Sequence, residues 1–265
     1  MNRQPAVAGT FYPANRQQLH QMLDEYLNDA ESGAKVPKAI IAPHAGYVYS
    51  GPVAASAYAR LKKAHDRITR VVIIGPSHRV AFSGLAVSKA QSFITPLGSI
   101  AVDQEAVEAI AKLAFVDYLE QAHTYEHSLE VHLPFLQEML DDFKIVPIVA
   151  GDASPEQVSQ VIDALWGGAE TLIVISSDLS HYHDYATAKQ LDKATSVTIE
   201  HLEYERLAYD SACGKVPVSG LLKLAREKSL TIKTIDLRNS GDTAGGRDRV
   251  VGYGAYVCHE HPREH

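Results

Sequence analysis

The sequence predicts a three-layer α/β fold in which a central, largely parallel or mixed sheet is flanked by helices. Short β-branched runs recur along the chain, and segments of helical periodicity separate them. Continuous apolar runs of strand length fit a sheet that is covered on both faces. The alternation of strands and helices is typical of such layered folds.

A single domain is expected for residues 1–265, with a core at about 6–256 and a short C-terminal tail at 259–265. No linker rich in proline, glycine or serine and no repeat of fixed period divides the chain. Hydrophobic residues make up 46% of the sequence, which is enough for a substantial buried core.

Each element is predicted from its local pattern. Apolar, β-branched runs predict strands at 38–42, 70–75, 143–149, 171–176, 231–237 and 250–258. Apolar residues at three- and four-residue spacing predict helices at 17–28, 53–63, 104–113, 133–140, 155–165, 185–207 and 214–227. Residues 83–102 instead predict a β-hairpin that turns at Thr95 and Pro96.

Composition and charge narrow the function classes. The net charge of −7 and the lack of a basic run argue against binding to nucleic acid or to an anionic membrane. No apolar stretch approaches the roughly 20 residues of a membrane span, and residues 1–9 lack the pattern of a signal peptide. Two cysteines cannot form a disulfide framework, so a cytoplasmic, reducing location is expected.

Three of the thirteen histidines follow predicted strands directly. They are His44, His78 and His181, each flanked by Gly, Pro or Ser. Ligands of open α/β sheets bind outside the carboxyl ends of the strands, so these three loops are expected to meet at one edge. The alternative is that the three histidines only stabilise their loops.

A fourth histidine-bearing segment spans residues 126–132. Its two histidines, His127 and His132, are five residues apart, which is not the spacing of the His-Glu-x-x-His zinc motif. Pro134 follows, so a loop that enters a helix is predicted. His127, Glu130 and His132 either line the cleft or belong to a solvated helix start.

Cys213 lies between two predicted helices, just before a helix N-terminus. That position lowers the pKa of a thiol and favours a thiolate that attacks or binds metal. The alternative is a small buried apolar residue, which is also the interpretation of Cys258 at the end of a strand. The sequence contains no phosphate-binding Gly-x-x-x-x-Gly-Lys-Ser/Thr loop and no Gly-x-Ser-x-Gly motif of the hydrolases.

Six blocks of sequence together resemble the Memo family, whose members occur in animals, archaea and bacteria. The blocks are AVAGTFYP at 6–13, IAPHAGYVYSG at 41–51, GPSH at 75–78, EHSLEVHLPF at 126–135, SSD with His181, and Cys213 with Gly214. They span about 6–256 in the expected order. The resemblance implies the fold of the class III extradiol dioxygenases, which is the LigB-like fold.

The resemblance also implies roles for individual residues. It implies that His44, His78 and Cys213 are metal ligands, that His181 is an acid/base histidine, and that Asp178 assists it. Residues expected to contact substrate or to support the ligands are Phe11, Tyr47, His127, Glu130 and His132. Phe11 stands where animal members carry a tryptophan implicated in peptide contact. Expected partners are a small-molecule or peptide ligand and, from the family, radical SAM and AMMECR-like proteins.

Two imidazoles and a thiolate would suit a single transition-metal ion, with Fe(II) or Cu favoured over Zn. Three protein ligands leave one position open for water or substrate. Extradiol enzymes carry a carboxylate where this chain would use Cys213, so catechol cleavage does not follow from the resemblance. Two alternative functions are therefore expected: a metal-dependent redox or dioxygenase-like enzyme, and a non-catalytic module that captures a peptide or a metal ion. A hydrolase with metal-activated water ranks last.

Overall fold

The computed structural model describes residues 1–261 and contains one large mixed sheet beside a small three-stranded one. The strands are β1 (Asn2–Arg3), β2 (Ala39–Ala42), β3 (Arg70–Pro76), β4 (Leu85–Val87), β5 (Ser92–Thr95), β6 (Gly98–Ala101), β7 (Val116–Tyr118), β8 (Lys144–Ala150), β9 (Thr171–Ser176), β10 (His181–His183), β11 (Thr231–Asn239) and β12 (Val250–His259). The large sheet has the order β10-β12-β2-β9-β3-β8-β4-β7, and β11 pairs with β12.

Four neighbouring strands at the centre of the large sheet, β2, β9, β3 and β8, run parallel. Their residues are almost all buried, as expected for apolar runs covered on both faces. Antiparallel strands flank this centre, with β12 beside β2 and β4 beside β8. The predicted mixed-sheet α/β class is therefore confirmed, and the carboxyl ends of the parallel strands lie at one edge.

Residues 1–261 form eight α-helices around the sheet, and capping residues start several of them. They are α1 (Arg16–Asp29), α2 (Tyr47–Tyr58), α3 (Gln104–Ile110), α4 (Glu120–Thr124), α5 (Leu133–Met139), α6 (Pro155–Ala164), α7 (Tyr185–Glu200) and α8 (Lys215–Glu227). The Ser154 hydroxyl accepts the Gln157 N–H, and the Gln157 side chain accepts the Ser154 N–H, which forms a capping box at α6. Helix α8 packs on β3 and β9, and α2 packs on β2 and β12.

Three helices differ from their predicted bounds by three residues or more. Helix α2 begins at Tyr47, six residues before the predicted start, and ends at Tyr58 and not at 63, whereas α3 ends at Ile110 and not at 113. Pro52 is the sixth residue of α2 and has no N–H to donate to the Val48 carbonyl, so α2 contains an interior proline, and the predicted start just after that proline was wrong. Helix α7 ends at Glu200 and not at 207, because Leu202 adopts a left-handed backbone with φ of 59°.

The predicted hairpin at 83–102 is confirmed only in part. Strands β5 and β6 form a hairpin, but β4 joins the large sheet. Strands β1, β7 and β10 and helix α4 were not predicted, since two- to five-residue elements carry little periodic signal. Strand β12 extends to His259, and residues 262–265 of the predicted tail lie outside the described residues. None of the described helices is both long and apolar enough to cross a membrane.

Candidate metal centre

Three loops at the same edge of the sheet each carry a potential ligand, and each ligand lies at the same distance from the end of its strand. His44, His78 and Asp178 each come two residues after the end of β2, β3 and β9, respectively. Strand β9 lies between β2 and β3, so the three loops are neighbours. The parallel arrangement therefore brings residues from distant parts of the chain to one place.

Cys213 reaches this edge from the segment before α8. Gly214 makes the close approach possible, because a Cβ there would lie 2.4 Å from the Ser176 carbonyl oxygen and 2.5 Å from the Ser177 Cβ. The Gly214 N–H donates to the Ser177 hydroxyl over 3.0 Å, and the Asp178 N–H points at the Cys213 sulfur over 3.3 Å. These contacts fix the thiol beside the end of β9.

His44 is at the centre of the cluster and is only 2% exposed. Its backbone N–H donates to Asp178 Oδ1 over 2.8 Å, and its Nδ1 lies 2.7 Å from the Ser176 hydroxyl. The other ring nitrogen, Nε2, lies 3.3 Å from Cys213 Sγ and 3.8 Å from Asp178 Oδ2. Burial lowers the pKa of His44 well below its usual range, so the ring is neutral and can offer a lone pair.

The thiol of Cys213 contradicts one expectation. Its pKa is raised, first by burial and then by the negative charge of Asp178, whereas the helix N-terminus was expected to lower it. Burial also raises the pKa of Asp178 to about 7. Two acidic groups that share a desolvated site favour their neutral forms, and a cation placed beside them would favour the thiolate and the carboxylate.

Glu126 holds His78 from two directions. The backbone N–H and the Nδ1 of His78 approach the two carboxylate oxygens at 2.6 and 2.8 Å. Burial acts to raise the pKa of Glu126, but the hydrogen bonds from His78 and from the Ser128 N–H outweigh it and lower the pKa to about 2. The ionised carboxylate fixes the ring of His78 with Nε2 free, which is the usual support of a metal-binding histidine.

The ring of His127 lies between those of Phe11 and His78. Its centroid is 4.7 Å from that of Phe11, with the two rings tilted by 51°, and 4.5 Å from that of His78, with the two rings stacked at 24°. An ion in the plane of one of two stacked rings lies outside the plane of the other. His44 meets His78 and His127 edge to face, at 76° and 77°, so either ring can converge with His44 on one ion.

His181, the predicted acid/base residue, is the first residue of β10 and is half-buried. Burial lowers its pKa. The next residue, Tyr182, is 64% exposed and has a φ of 64°, a conformation that costs a non-glycine residue free energy. The backbone therefore turns sharply beside His181.

The remaining predicted residues make contacts of a different kind. The Tyr47 ring packs against Tyr12 and Phe135 in the core, and its hydroxyl donates to the Val131 carbonyl over 2.5 Å. The Glu130 carboxylate binds the N-terminal segment through Arg3, Ala6, Val7 and Tyr12. His132 lies 2.8 Å from the Ser176 hydroxyl, and that hydroxyl also contacts His44.

Sequence reasoning did not assign Glu126, Ser176 or Tyr58 to the site. Ser176 and Glu126 lie in the motifs already quoted, so their position next to a ligand loop was the available signal. Tyr58 is the last residue of α2, and nothing in its local sequence points to His132, whose Nδ1 it contacts at 2.7 Å. Only the packing of α2 against the segment before α5 reveals that contact.

Two groups of potential metal ligands share His44. Ligand atoms of His44, His78 and His127 lie within 4.8 Å of one another, and so do those of His44, Asp178 and Cys213. The ligand set expected from the sequence, His44, His78 and Cys213, takes members from both groups, and its ligand atoms do not all lie within 4.8 Å of one another. Imidazoles with one nitrogen engaged by the protein, next to a thiol, are a donor set that fits a transition-metal ion.

The fold and the site define an α/β protein of mixed sheet with a candidate metal centre at the carboxyl edge of its parallel strands. The chain belongs to the Memo family, since the family model described as "Memo-like protein" matches residues 3–257. It is 37% identical to a "MEMO1 family protein" of Aquifex aeolicus over 263 residues, which cover 95% of this chain and 97% of that one. It is also 37% identical to a "MEMO1 family protein" of Archaeoglobus fulgidus, over 96% of this chain and 98% of the relative.

A solved structure supports the fold independently of sequence. The crystal structure of an uncharacterized protein from Escherichia coli K12 superposes with a TM-score of 0.51 at 14% identity. The match covers 84% of this chain and 100% of the other. At this identity the likeness concerns the fold alone.

Proposed function

We propose that this protein holds a single transition-metal ion on His44, His78 and Cys213 and is a metal-dependent redox or dioxygenase-like enzyme. The observation that carries the proposal is the approach of Cys213 Sγ to His44 Nε2 at 3.3 Å, while the Nδ1 of the same ring is engaged by Ser176. Residues 169 positions apart in sequence thus present a sulfur and a nitrogen lone pair to one point.

Thiolate and imidazole ligands suit Fe(II), Cu and Zn alike, and Fe(II) or Cu is proposed because a redox function requires a redox-active ion. When bound, such an ion would supply one-electron chemistry at a position left open by its three protein ligands. The open side is at His78, whose side chain is 29% exposed, whereas His44 is buried. Substrate would therefore enter past His78 and the neighbouring rings of Phe11 and His127, whose aromatic surface suits a phenolic or other aromatic group.

Two residues of the chain can move protons at the site. Burial raises the pKa of Asp178 to about 7 in the metal-free protein, and a bound cation would lower it, so Asp178 would be a carboxylate that can accept a proton. His181 is neutral at that pH, because burial lowers its pKa, and it can accept a proton from a substrate hydroxyl. Glu126 keeps His78 oriented and takes no part in proton transfer, since its pKa is about 2.

Metal analysis after anaerobic purification tests the ligand assignment. The wild-type protein is expected to retain about one ion per chain, and Cys213→Ala is expected to lose most of it. Cys258→Ala is the matched control, because Cys258 is the other buried thiol and lies in β12. Equal metal content in wild type and Cys213→Ala would show that the Cys213 thiolate is not a ligand.

Oxygen consumption with a panel of catechols and phenols tests the enzymatic part. His181→Ala is expected to abolish turnover and to keep its metal, whereas His201→Ala, at an exposed position after α7, keeps both. If His181→Ala retained every activity of the wild type, the enzymatic proposal would fail. Metal binding without any turnover in the wild type would instead favour a binding module.

A further inference from the structure

A buried chain of hydrogen bonds lies behind His44, on the side away from Cys213. It runs from the Tyr58 hydroxyl to His132 Nδ1 over 2.7 Å and from His132 Nε2 to the Ser176 hydroxyl over 2.8 Å. The same hydroxyl lies 2.7 Å from His44 Nδ1. None of the four side chains is more than 2% exposed, so water does not replace any of these contacts.

The proton on the Ser176 hydroxyl determines the direction of every bond in the chain. The Ser176 oxygen lies 2.6 Å from the Ser128 carbonyl oxygen, which can only accept. Ser176 therefore donates its single proton there. Its two lone pairs must then accept from both imidazoles.

The two histidine tautomers follow from this count. His44 must carry its proton on Nδ1, and His132 must carry its proton on Nε2, because each donates to Ser176. The free nitrogen of His132, Nδ1, accepts from the Tyr58 hydroxyl, so the whole chain is satisfied. The free lone pair of His44 is on Nε2, the atom that faces Cys213 at 3.3 Å.

We propose that Ser176 is a positioning residue that holds His44 in the Nδ1–H tautomer. The Ser128 carbonyl fixes the polarity of Ser176, and His132, held by Tyr58, occupies its second lone pair from the core. The opposite tautomer would turn an N–H towards Cys213 and could not bind a metal. The metal-binding role of this tautomer rests on the proposed function, but the tautomer itself is a property of the metal-free protein. The Nε2 lone pair of His44 therefore faces Cys213 before any metal ion binds.

Nitrogen-15 NMR of histidine-labelled, metal-free protein measures the tautomer directly, and His44→Gln assigns the signal. Wild type is expected to show His44 protonated on Nδ1, and Ser176→Ala a mixture of both forms. Zn(II), used as the probe ion, should bind Ser176→Ala about ten- to hundredfold more weakly, the usual effect of losing a partner behind a ligand. Ser180→Ala is the matched control, since that buried hydroxyl has no hydrogen-bond partner among residues 1–261.

Variants of His132 separate positioning from structural damage. His132→Gln keeps a donor where the Nε2 was, and His132→Leu removes that donor but leaves the bond from Ser176 to the Ser128 carbonyl. Both variants should therefore keep the wild-type His44 signal and a Zn(II) affinity within a few-fold of wild type, unlike Ser176→Ala. A wild-type His44 protonated on Nε2, or Ser176→Ala indistinguishable from Ser180→Ala in both measurements, would overturn the inference. Wild type that binds no Zn(II), Fe(II) or Cu but shows the expected tautomer would instead refute the proposed function alone.

Discussion

Glu126 and Glu130 are four residues apart, and both carboxylates are almost completely buried, yet they stabilise different parts of the molecule. Glu126 accepts hydrogen bonds from the ring and backbone of His78 and from the Ser128 N–H, all within the loops at the sheet edge. Glu130 binds the Arg3 guanidinium, the backbone N–H groups of Ala6 and Val7, and the Tyr12 hydroxyl.

The difference lies in the partner that compensates each buried charge. Glu130 has a permanent cation, Arg3, and fastens the N-terminal segment that carries Phe11 over His127. Glu126 instead pairs with the imidazole of His78, a potential metal ligand. A buried carboxylate paired with arginine supports the architecture, whereas one paired with a potential metal ligand adjusts the chemistry of the site.

The largest effect is expected from Glu130→Ala. The variant leaves the Arg3 guanidinium buried and unpaired, which costs about 3–5 kcal/mol of the free energy of unfolding, measured by urea denaturation. Glu31→Ala is the control. The Glu31 side chain is 92% exposed and lies 3.7 Å from Arg60, so its loss should change the free energy of unfolding little. The double variant Arg3→Met, Glu130→Met should recover part of the loss, because it leaves no charge unpaired.

A smaller and more local effect is expected from Glu126→Gln. An amide cannot accept from both the ring and the backbone of His78, so the ring loses its fixed orientation. Metal affinity, measured by competition with a chelator, should fall about ten- to hundredfold, with less loss of stability than in Glu130→Ala. The comparison would be wrong if Glu126→Gln destabilised the fold as strongly as Glu130→Ala and left metal affinity unchanged.

The smallest effect is a pH dependence of the metal-free protein. The folded pKa of Glu126, about 2, is below its ordinary value of 4.5, so its stabilisation is complete above pH 4.5 and is lost as pH falls towards 2. Buried His132, whose pKa is lowered to about 3 by burial alone, loses stabilisation from pH 6.5 downwards in wild type and variant alike. The difference in urea midpoint between wild type and Glu126→Gln should therefore narrow below pH 4.5, and a constant difference would contradict the assignment.

Much of the fold was predictable because its signals are local. The strands β2, β3, β8 and β9 are apolar runs that any parallel sheet would bury, and their ends predicted the loops of His44, His78 and His181. Boundaries were less predictable where a helix-breaking residue lies inside an element, as Pro52 does within α2. Short elements such as β10 exist only because β12 offers a partner, and no local sequence signal encodes that.

The sequence by itself determined the α/β class, the family and the loops that carry His44, His78 and Cys213. Strand patterns and motifs can be recognised there because each depends only on residues that are close together in the sequence. Only the tertiary structure decided which side chains meet. The Arg3 guanidinium pairs with the carboxylate of Glu130 but reaches only the backbone carbonyl of Glu126. Gly214 lets Cys213 reach His44, and the Tyr58 hydroxyl contacts His132. These contacts join residues 74 to 169 positions apart, and their choice depends on how helices pack on the sheet, which no local pattern records.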